Sequence, residues 1–176
     1  MFRTVLAVCF VACSSSTTPP PPTPSGSAAP TKAVIELAEV TILFDGNPIA
    51  RLHSDGRSES VGENMPGPNA TFVPGPTFHA DGTITMTHAG VSALVTADGE
   101  MYVIRPDKPR ERYGRLSGNE ILTGDASGHG FRLDATKLTM FSSNADPAVM
   151  GYVDPPTAGR TGLIMSAAFT IDLLYR

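Results

Sequence analysis

Cysteine is scarce in this chain of 176 residues, which contains only Cys9 and Cys13. Both lie in the first short segment of the sequence. If the chain is cleaved before Cys13 and this residue is lipidated, the mature protein has neither a free thiol nor a disulfide. Thiol catalysis, cysteine-ligated zinc and disulfide stabilisation of the mature domain are then excluded together.

Tryptophan is absent, and aromatic residues make up only 7% of the chain. A platform of rings that stacks on sugars or on single-stranded nucleic acid therefore has little material. The net charge of −4 gives no general attraction to nucleic acid or to anionic lipid. We expect no nucleic-acid partner and no cofactor.

Long apolar runs are also missing. The run over residues 4–12 follows Arg3 and is too short to cross a bilayer, which needs about 20 apolar residues. It is typical of the apolar region of a signal peptide. The segment Phe10-Val11-Ala12-Cys13 resembles the bacterial lipobox, although Phe10 stands where leucine is usual. Lipidation at Cys9, or an ordinary signal peptide with an incidental cysteine, are the alternatives.

Residues 14–30 are rich in proline, serine and threonine and have no apolar periodicity. Such a segment favours polyproline II and acts as a semi-rigid spacer of roughly 50 Å, at ~3.1 Å per residue. We predict a signal peptide over residues 1–12, a lipidated Cys13 with a tether to residue 32, and one β-rich domain over residues 33–176. Attachment by several acyl chains is stable, so we expect a protein lipid-anchored in a bacterial cell envelope, at the outer membrane and facing the periplasm or the surface.

Glycine and proline are abundant, with 17 and 16 copies, and indicate many turns. Asp-Gly, a strong signal for tight hairpins, occurs at residues 45–46 and within three segments that share one template: apolar, polar, small, Asp, Gly. These are residues 52–56, 78–82 and 95–99. We predict a mainly β fold, an antiparallel hairpin or meander sheet built on Asp-Gly turns.

Period-two patterning predicts strands over residues 83–87, 91–96, 101–105, 120–123, 131–133 and 138–141. Residues 62–76 and 142–156 are expected to be surface loops. Composition favours a short C-terminal helix around residues 163–169, although alternation from Phe169 to Tyr175 also suits a strand. Length and Asp172 argue against a membrane span here.

The combination of lipobox, spacer, Asp-Gly units and C-terminal apolar segment resembles a type of lipoprotein of myxobacteria and related proteobacteria. Cys13, the three units and residues 159–165 carry the resemblance. It implies an envelope location and a β-rich fold, and it favours the helix at the C-terminus. It implies no catalytic residues.

His53 and His79 occupy the same place in two of the units, each two residues before an aspartate. Stacked units would bring them together with Asp55 and Asp81 as the ligands of a metal site. The third unit has Thr96 at this place, and no local zinc-type spacing is present. A polar side chain that faces solvent beside a turn is the simpler interpretation.

Ser127, His129 and Asp125 share a polar glycine-rich loop. A hydrolase would need a nucleophile and a base that meet in space, and no Gly-x-Ser-x-Gly elbow is present. A histidine and an aspartate from separate segments, such as His79 or His129 with Asp81 or Asp125, are the remaining candidates for acid and base. We interpret the loop as a connection.

The densest basic segment contains five cations and could bind a phosphate-bearing glycan, lipid A or an acidic partner. The simpler interpretation is a solvated hairpin loop. The five residues are Arg105, Lys108, Arg110, Arg112 and Arg115.

We therefore expect a non-enzymatic envelope lipoprotein with a structural or binding role. Its partners would be the membrane, through the anchor, and another envelope protein or glycan. The alternatives are an envelope hydrolase and an accessory subunit of an envelope assembly or secretion complex.

Overall fold

The computed structural model describes residues 33–62, 67, 70–124 and 128–175, and within these ranges the predicted mainly β fold with a short C-terminal helix is confirmed. The strands are β1 (Val40–Phe44), β2 (Asn47–Leu52), β3 (Ser58–Val61), β4 (Phe72–Pro74), β5 (Thr77–Phe78), β6 (Thr83–Thr85), β7 (Ser92–Val95), β8 (Glu100–Arg105), β9 (Lys108–Ser117), β10 (Glu120–Thr123), β11 (His129–Asp134), β12 (Lys137–Ser142) and β13 (Ala145–Asp154). A 3-10 turn (Pro156–Ala158) leads into helix α1 (Gly159–Leu174).

The sheet is an antiparallel meander that returns to its start. Its order is β4-β3-β2-β1-β13-β12-β11-β10-β9-β8-β7-β6-β5, so strands adjacent in sequence pair and β13 also pairs with β1. The two edge strands, β4 and β5, are separated only by Gly75 and Pro76. They run in the same direction, and together they form one bent strand that pairs first with β3 and then with β6. The described sheet thus curls into a ring.

Helix α1 lies inside this ring. Every residue from 161 to 168 is buried, which requires a helix that is apolar or small on all sides. The helix approaches separate parts of the ring closely: a Cβ added to Gly162 would lie 2.6 Å from a methyl carbon of Val153, and one added to Gly75 would lie 2.5 Å from the ring of Phe169. The core is therefore the space between α1 and the inner face of the sheet.

A buried carboxylate fastens the last turns of α1 to the sheet. Asp172 is only 1% exposed. It accepts a hydrogen bond of 2.7 Å from the backbone N–H of Thr87, and the Thr87 hydroxyl lies 2.8 and 2.7 Å from its two carboxylate oxygens. Breaking hydrogen bonds to a buried polar group is costly, so this contact holds the last turns of the helix at one position along the ring.

The three Asp-Gly units fold alike, as the shared template predicts. In each unit the glycine N–H donates to the carbonyl of the polar residue, and the glycine carbonyl accepts from the apolar residue that opens the next turn on the same side. The acceptor distances are 2.8 Å for Gly56 with Phe78, 2.9 Å for Gly82 with Val95 and 2.8 Å for Gly99 with Leu116.

Two further turns continue this series without an Asp-Gly pair. The carbonyl of Asn119 accepts from the N–H of Leu133 at 2.9 Å, and the carbonyl of Thr136 accepts from Val153 at 2.8 Å. Five equivalent hydrogen bonds thus connect neighbouring turns at one end of the ring. We call it the turn end.

The prediction of a surface loop over residues 142–156 is wrong, because β13 occupies most of it. The loop predicted over residues 62–76 contains β4 and the described residues around it, and the basic segment predicted as a hairpin loop is mostly strand β9. The first halves of β9 and β13 are exposed on both faces. They have no buried side, so the alternating pattern that marks a half-buried strand is missing, and pairing with β8 and β12 sets their conformation.

Candidate apolar binding site

The end of the ring opposite the turn end has a different character. Helix α1 starts near the turn end, where Gly159 lies against Leu133, and its sixteen residues finish at the other end. There its last two residues are unusually exposed apolar side chains: Leu173 is 66% exposed and Leu174 is 68% exposed. We call this the open end.

A cavity of about 380 Å³ lies beside the C-terminal half of α1 at the open end. We call it the first groove. No charged side chain lines it, and its size falls in the range of small-molecule pockets. Its walls come from α1 and from strands on the β1–β3 and β12–β13 side: Ile42, Ile49, Ala50, Ser60, Val61, Gly62, Leu138, Met150, Ser166, Phe169, Thr170 and Leu173.

Three hydroxyl-bearing residues line the first groove, Ser60 on β3 and Ser166 and Thr170 on α1, and the two hydroxyls on α1 are already bonded within the helix. The Ser166 hydroxyl donates to the carbonyl of Gly162 at 2.9 Å, and the Thr170 hydroxyl donates to the carbonyl of Ser166 at 2.9 Å. These donors are therefore not directed toward a ligand. A guest with many polar groups would lose its hydrogen bonds to water without replacement, whereas a hydrocarbon would not.

A second cavity of about 380 Å³ adjoins the first. We call it the second groove. Thr170 lines both grooves, whereas Leu173 lines only the first and Leu174 only the second. The remaining walls of the second groove come from β9 to β13: Tyr113, Thr123, His129, Gly130, Phe131, Met140, Phe141, Ser142, Ala145, Asp146 and Ala148.

The second groove is apolar inside and polar at its mouth. Burial, with a smaller contribution from Tyr175, raises the pKa of Tyr113 to about 12. His129 and Asp146 also line the groove but are exposed. The polar groups are thus available where the groove opens to solvent.

The predicted metal ligands do not assemble into a site. Nδ1 of His53 lies 3.3 Å from a Glu39 carboxylate oxygen, and His79 Nε2 lies 3.3 Å from the Thr85 hydroxyl. Among the residues that the structure describes, no three histidine, cysteine, aspartate or glutamate side chains gather to hold a metal ion.

The aspartates of the predicted metal site act instead within their turns. Asp55 accepts from the N–H of Arg57 at 3.0 Å, and Asp81 accepts from the N–H of Thr83 at 2.9 Å. These backbone hydrogen bonds are the main cause that holds the pKa of both carboxyls below the ordinary value, followed by side-chain hydrogen bonding from the same two residues.

The predicted hydrolase residues are only partly visible. Asp125 and Ser127 lie outside the described residues. Nε2 of His129 lies 3.5 Å from the hydroxyl oxygen of Ser143, at the mouth of the second groove. The β12–β13 turn therefore places a serine beside this histidine, and sequence spacing did not predict that pairing.

Ion pairs occupy most of the basic segment. Arg105 pairs with Glu111, while Glu100 takes both Arg112 at 2.6 Å and Arg115 at 3.5 Å. The hydrogen bond from Arg112 is the main cause that lowers the pKa of the Glu100 carboxyl. These pairs weaken the positive potential that an anionic partner would meet.

The other two cations of the segment lie on the exposed part of β9. The guanidinium of Arg110 is centred 3.6 Å from the ring centroid of Tyr102, a cation–π contact, and Lys108 is exposed. Binding of an anionic partner by this segment stays a prediction.

The chain matches no protein-family model, no curated protein and no solved structure. The likeness to myxobacterial lipoproteins therefore stays a prediction. The signal peptide, the lipidation at Cys13 and the tether also stay predictions, because they lie outside the described residues. Within the described part of the chain, no helix has the length and apolar content needed to span a bilayer.

Proposed function

We propose that this protein is a non-enzymatic envelope lipoprotein, anchored through Cys13, whose β-rich domain binds an apolar ligand at its open end. One observation carries the proposal: the first groove has an uncharged lining in which Ser166 and Thr170 donate to helix carbonyls. A ligand recognised there gains free energy by removing hydrocarbon from water, about 0.8 kcal/mol for each buried CH₂ group.

The proposed anchor suits such a ligand. A tether of roughly 50 Å would keep the domain within reach of the membrane surface, where hydrocarbon chains are concentrated. The exposed pair Leu173 and Leu174 stands at the entrance to the grooves. Contiguous exposed apolar surface is typical of interaction sites, and this pair extends the apolar lining of the grooves to the surface.

Titration of the purified full chain with a fluorescent single-chain fatty acid tests the proposal. Ser60 lines the first groove and pairs in register with the buried Ala50, so its side chain lies on the inner face of the sheet, and Ser60→Trp should fill part of the groove. Exclusion of two or more CH₂ groups would weaken binding about tenfold. Thr41→Trp is the matched control, because Thr41 pairs in register with Arg51 on the outer face of the sheet and does not line the groove.

The control should bind as the unmodified chain does. Circular dichroism of all three proteins would establish that the sheet is intact. A folded chain that takes up no probe, or a folded Ser60→Trp variant that binds as tightly as its control, would overturn the proposal.

A hydrolase remains the second candidate, because Ser143 and His129 approach each other at the second groove. A serine nucleophile needs a base within hydrogen-bond reach. An activity-based fluorophosphonate probe should label the chain at Ser143, with loss of labelling in Ser143→Ala and His129→Ala, if this pair is catalytic. Absence of labelling in the folded chain would eliminate this candidate and leave the binding role.

A further inference from the structure

We infer that the two grooves form one site for a two-chain lipid, with one hydrocarbon chain in each groove. This inference rests on the proposed binding function and specifies its ligand. It follows from the way in which α1 and the β12–β13 hairpin divide a single opening into two equal compartments.

The two grooves match in volume and share part of a wall. Each groove measures about 380 Å³, and Thr170 forms part of both walls. The consecutive residues Leu173 and Leu174 project from the helix in different directions, so one leucine borders each groove. A ligand whose chains lie side by side would therefore place one chain on each side of this short ridge.

The β12–β13 hairpin forms a wall of both grooves. Leu138 and Met150 line the first groove, and Met140 and Ala148, which are paired in register, line the second. All four belong to the β12–β13 hairpin. Since both grooves run along the same hairpin and the same end of α1, they open at the same end of the ring. A lipid whose two hydrocarbon chains are joined to one headgroup needs two grooves that open side by side, as these do. Two separate single-chain ligands could bind in grooves placed anywhere on the domain.

The charges that line the grooves favour one kind of headgroup. No charged side chain lines the first groove. His129 and Asp146 are the exposed polar side chains that line the second groove. A carboxylate ligand would meet the acidic Asp146 there. A zwitterionic headgroup can place its cationic part toward Asp146, with its phosphate toward His129. The site thus favours a zwitterionic diacyl glycerophospholipid over a free fatty acid.

Native mass spectrometry of the delipidated full chain provides the test. We expect two equivalents of palmitate, or one equivalent of dioleoylphosphatidylcholine that displaces both palmitates. Ser60→Trp should close the first groove and Ala148→Trp the second. Each variant should reduce palmitate from two equivalents to one and weaken the diacyl lipid by about tenfold or more, whereas Thr41→Trp, on the outer face of the sheet, should change neither.

Lysophosphatidylcholine separates the headgroup from the second chain, because it has the same headgroup and one chain. It should bind at least about tenfold more weakly than the diacyl lipid. A single equivalent of palmitate, or equal affinity for the one-chain and two-chain lipids, would overturn the two-chain inference while the proposed function stands. A chain that binds none of these lipids would defeat both.

Discussion

The backbone N–H of Phe78 donates a hydrogen bond of 2.8 Å to the carbonyl oxygen of Gly56. The two residues belong to the first and second Asp-Gly units. The bond between them lies next to the junction at which β4 ends and β5 begins. Gly75 forms the companion bond, donating to the carbonyl of Ser58 at 2.8 Å. The ring is therefore held together by backbone contacts where its ladder of paired strands is interrupted.

Gly56→Ala should destabilise the domain strongly. Gly56 has φ +86°, and an added Cβ would lie 2.1 Å from the Phe78 carbonyl oxygen. The left-handed conformation costs a residue with a Cβ about 1–2 kcal/mol, and the overlap forces the chain to move as well. We expect a loss of about 3–5 kcal/mol in the free energy of unfolding, measured by urea denaturation.

Gly46→Ala is the matched control for this variant. Gly46 has φ +75°, but no atom lies within 4 Å of an added Cβ. Only the conformational cost of about 1–2 kcal/mol remains. Equal losses for the two variants would show that the close approach between the turns contributes nothing.

Acid should weaken the turn that contains Asp81. The pKa of Asp81 is lowered by the hydrogen bond from the N–H of Thr83, so the folded state favours the ionised carboxylate. The resulting stabilisation is present above the ordinary value of 3.8 and is lost as pH falls below it through the folded-state pKa. In Asp81→Asn, whose amide oxygen can still accept, thermal unfolding midpoints should decline less steeply below pH 3.8. An unchanged acid slope contradicts this assignment.

Asp172 and Thr87 should be energetically coupled. Asp172→Ala removes a buried acceptor and leaves the Thr87 N–H without it, so we expect a loss of about 2–4 kcal/mol. Thr87→Ala removes only the hydroxyl and should cost less, about 1–2 kcal/mol. A double-mutant cycle by urea denaturation should give less than the sum of the two losses. Strict additivity would mean that the contact does not fasten the helix.

Cys13 should be the site of lipidation. Cys13→Ser should abolish incorporation of an alkyne-labelled palmitate and move the protein from the membrane fraction to the soluble fraction, because no other acyl attachment is expected. Cys9→Ser should leave both properties unchanged. Labelling that persists in Cys13→Ser and disappears in Cys9→Ser would assign the anchor to the alternative cysteine.

The sequence was sufficient for the parts of the fold that local chemistry determines. The Asp-Gly units were predictable because Gly56, Gly82 and Gly99 need positive φ, which few other residues tolerate. Strand β10 was predicted with its observed limits, and the helix was favoured by residues 163–169. In each case the signal lies within a few consecutive residues.

The ring and its grooves depend on long-range pairing, which leaves no local signal. Ile42 pairs with Val153 across most of the domain, and nothing near either residue indicates the other. The same applies to the grooves, whose walls combine one helix with strands from both halves of the sheet. Leu173 and Leu174 were the available hint, because two consecutive leucines on a helix otherwise buried in the domain cannot both face its core.

The place of α1 inside the ring has a consequence for biogenesis. All thirteen described strands precede the helix in the chain, so the ribosome completes every strand before it makes the segment around which they close. A nascent chain without α1 lacks the partner of its apolar inner face and cannot reach the native state. We expect folding to be postponed until synthesis has passed the helix, and the proposed export would then act on a polypeptide that is still unfolded.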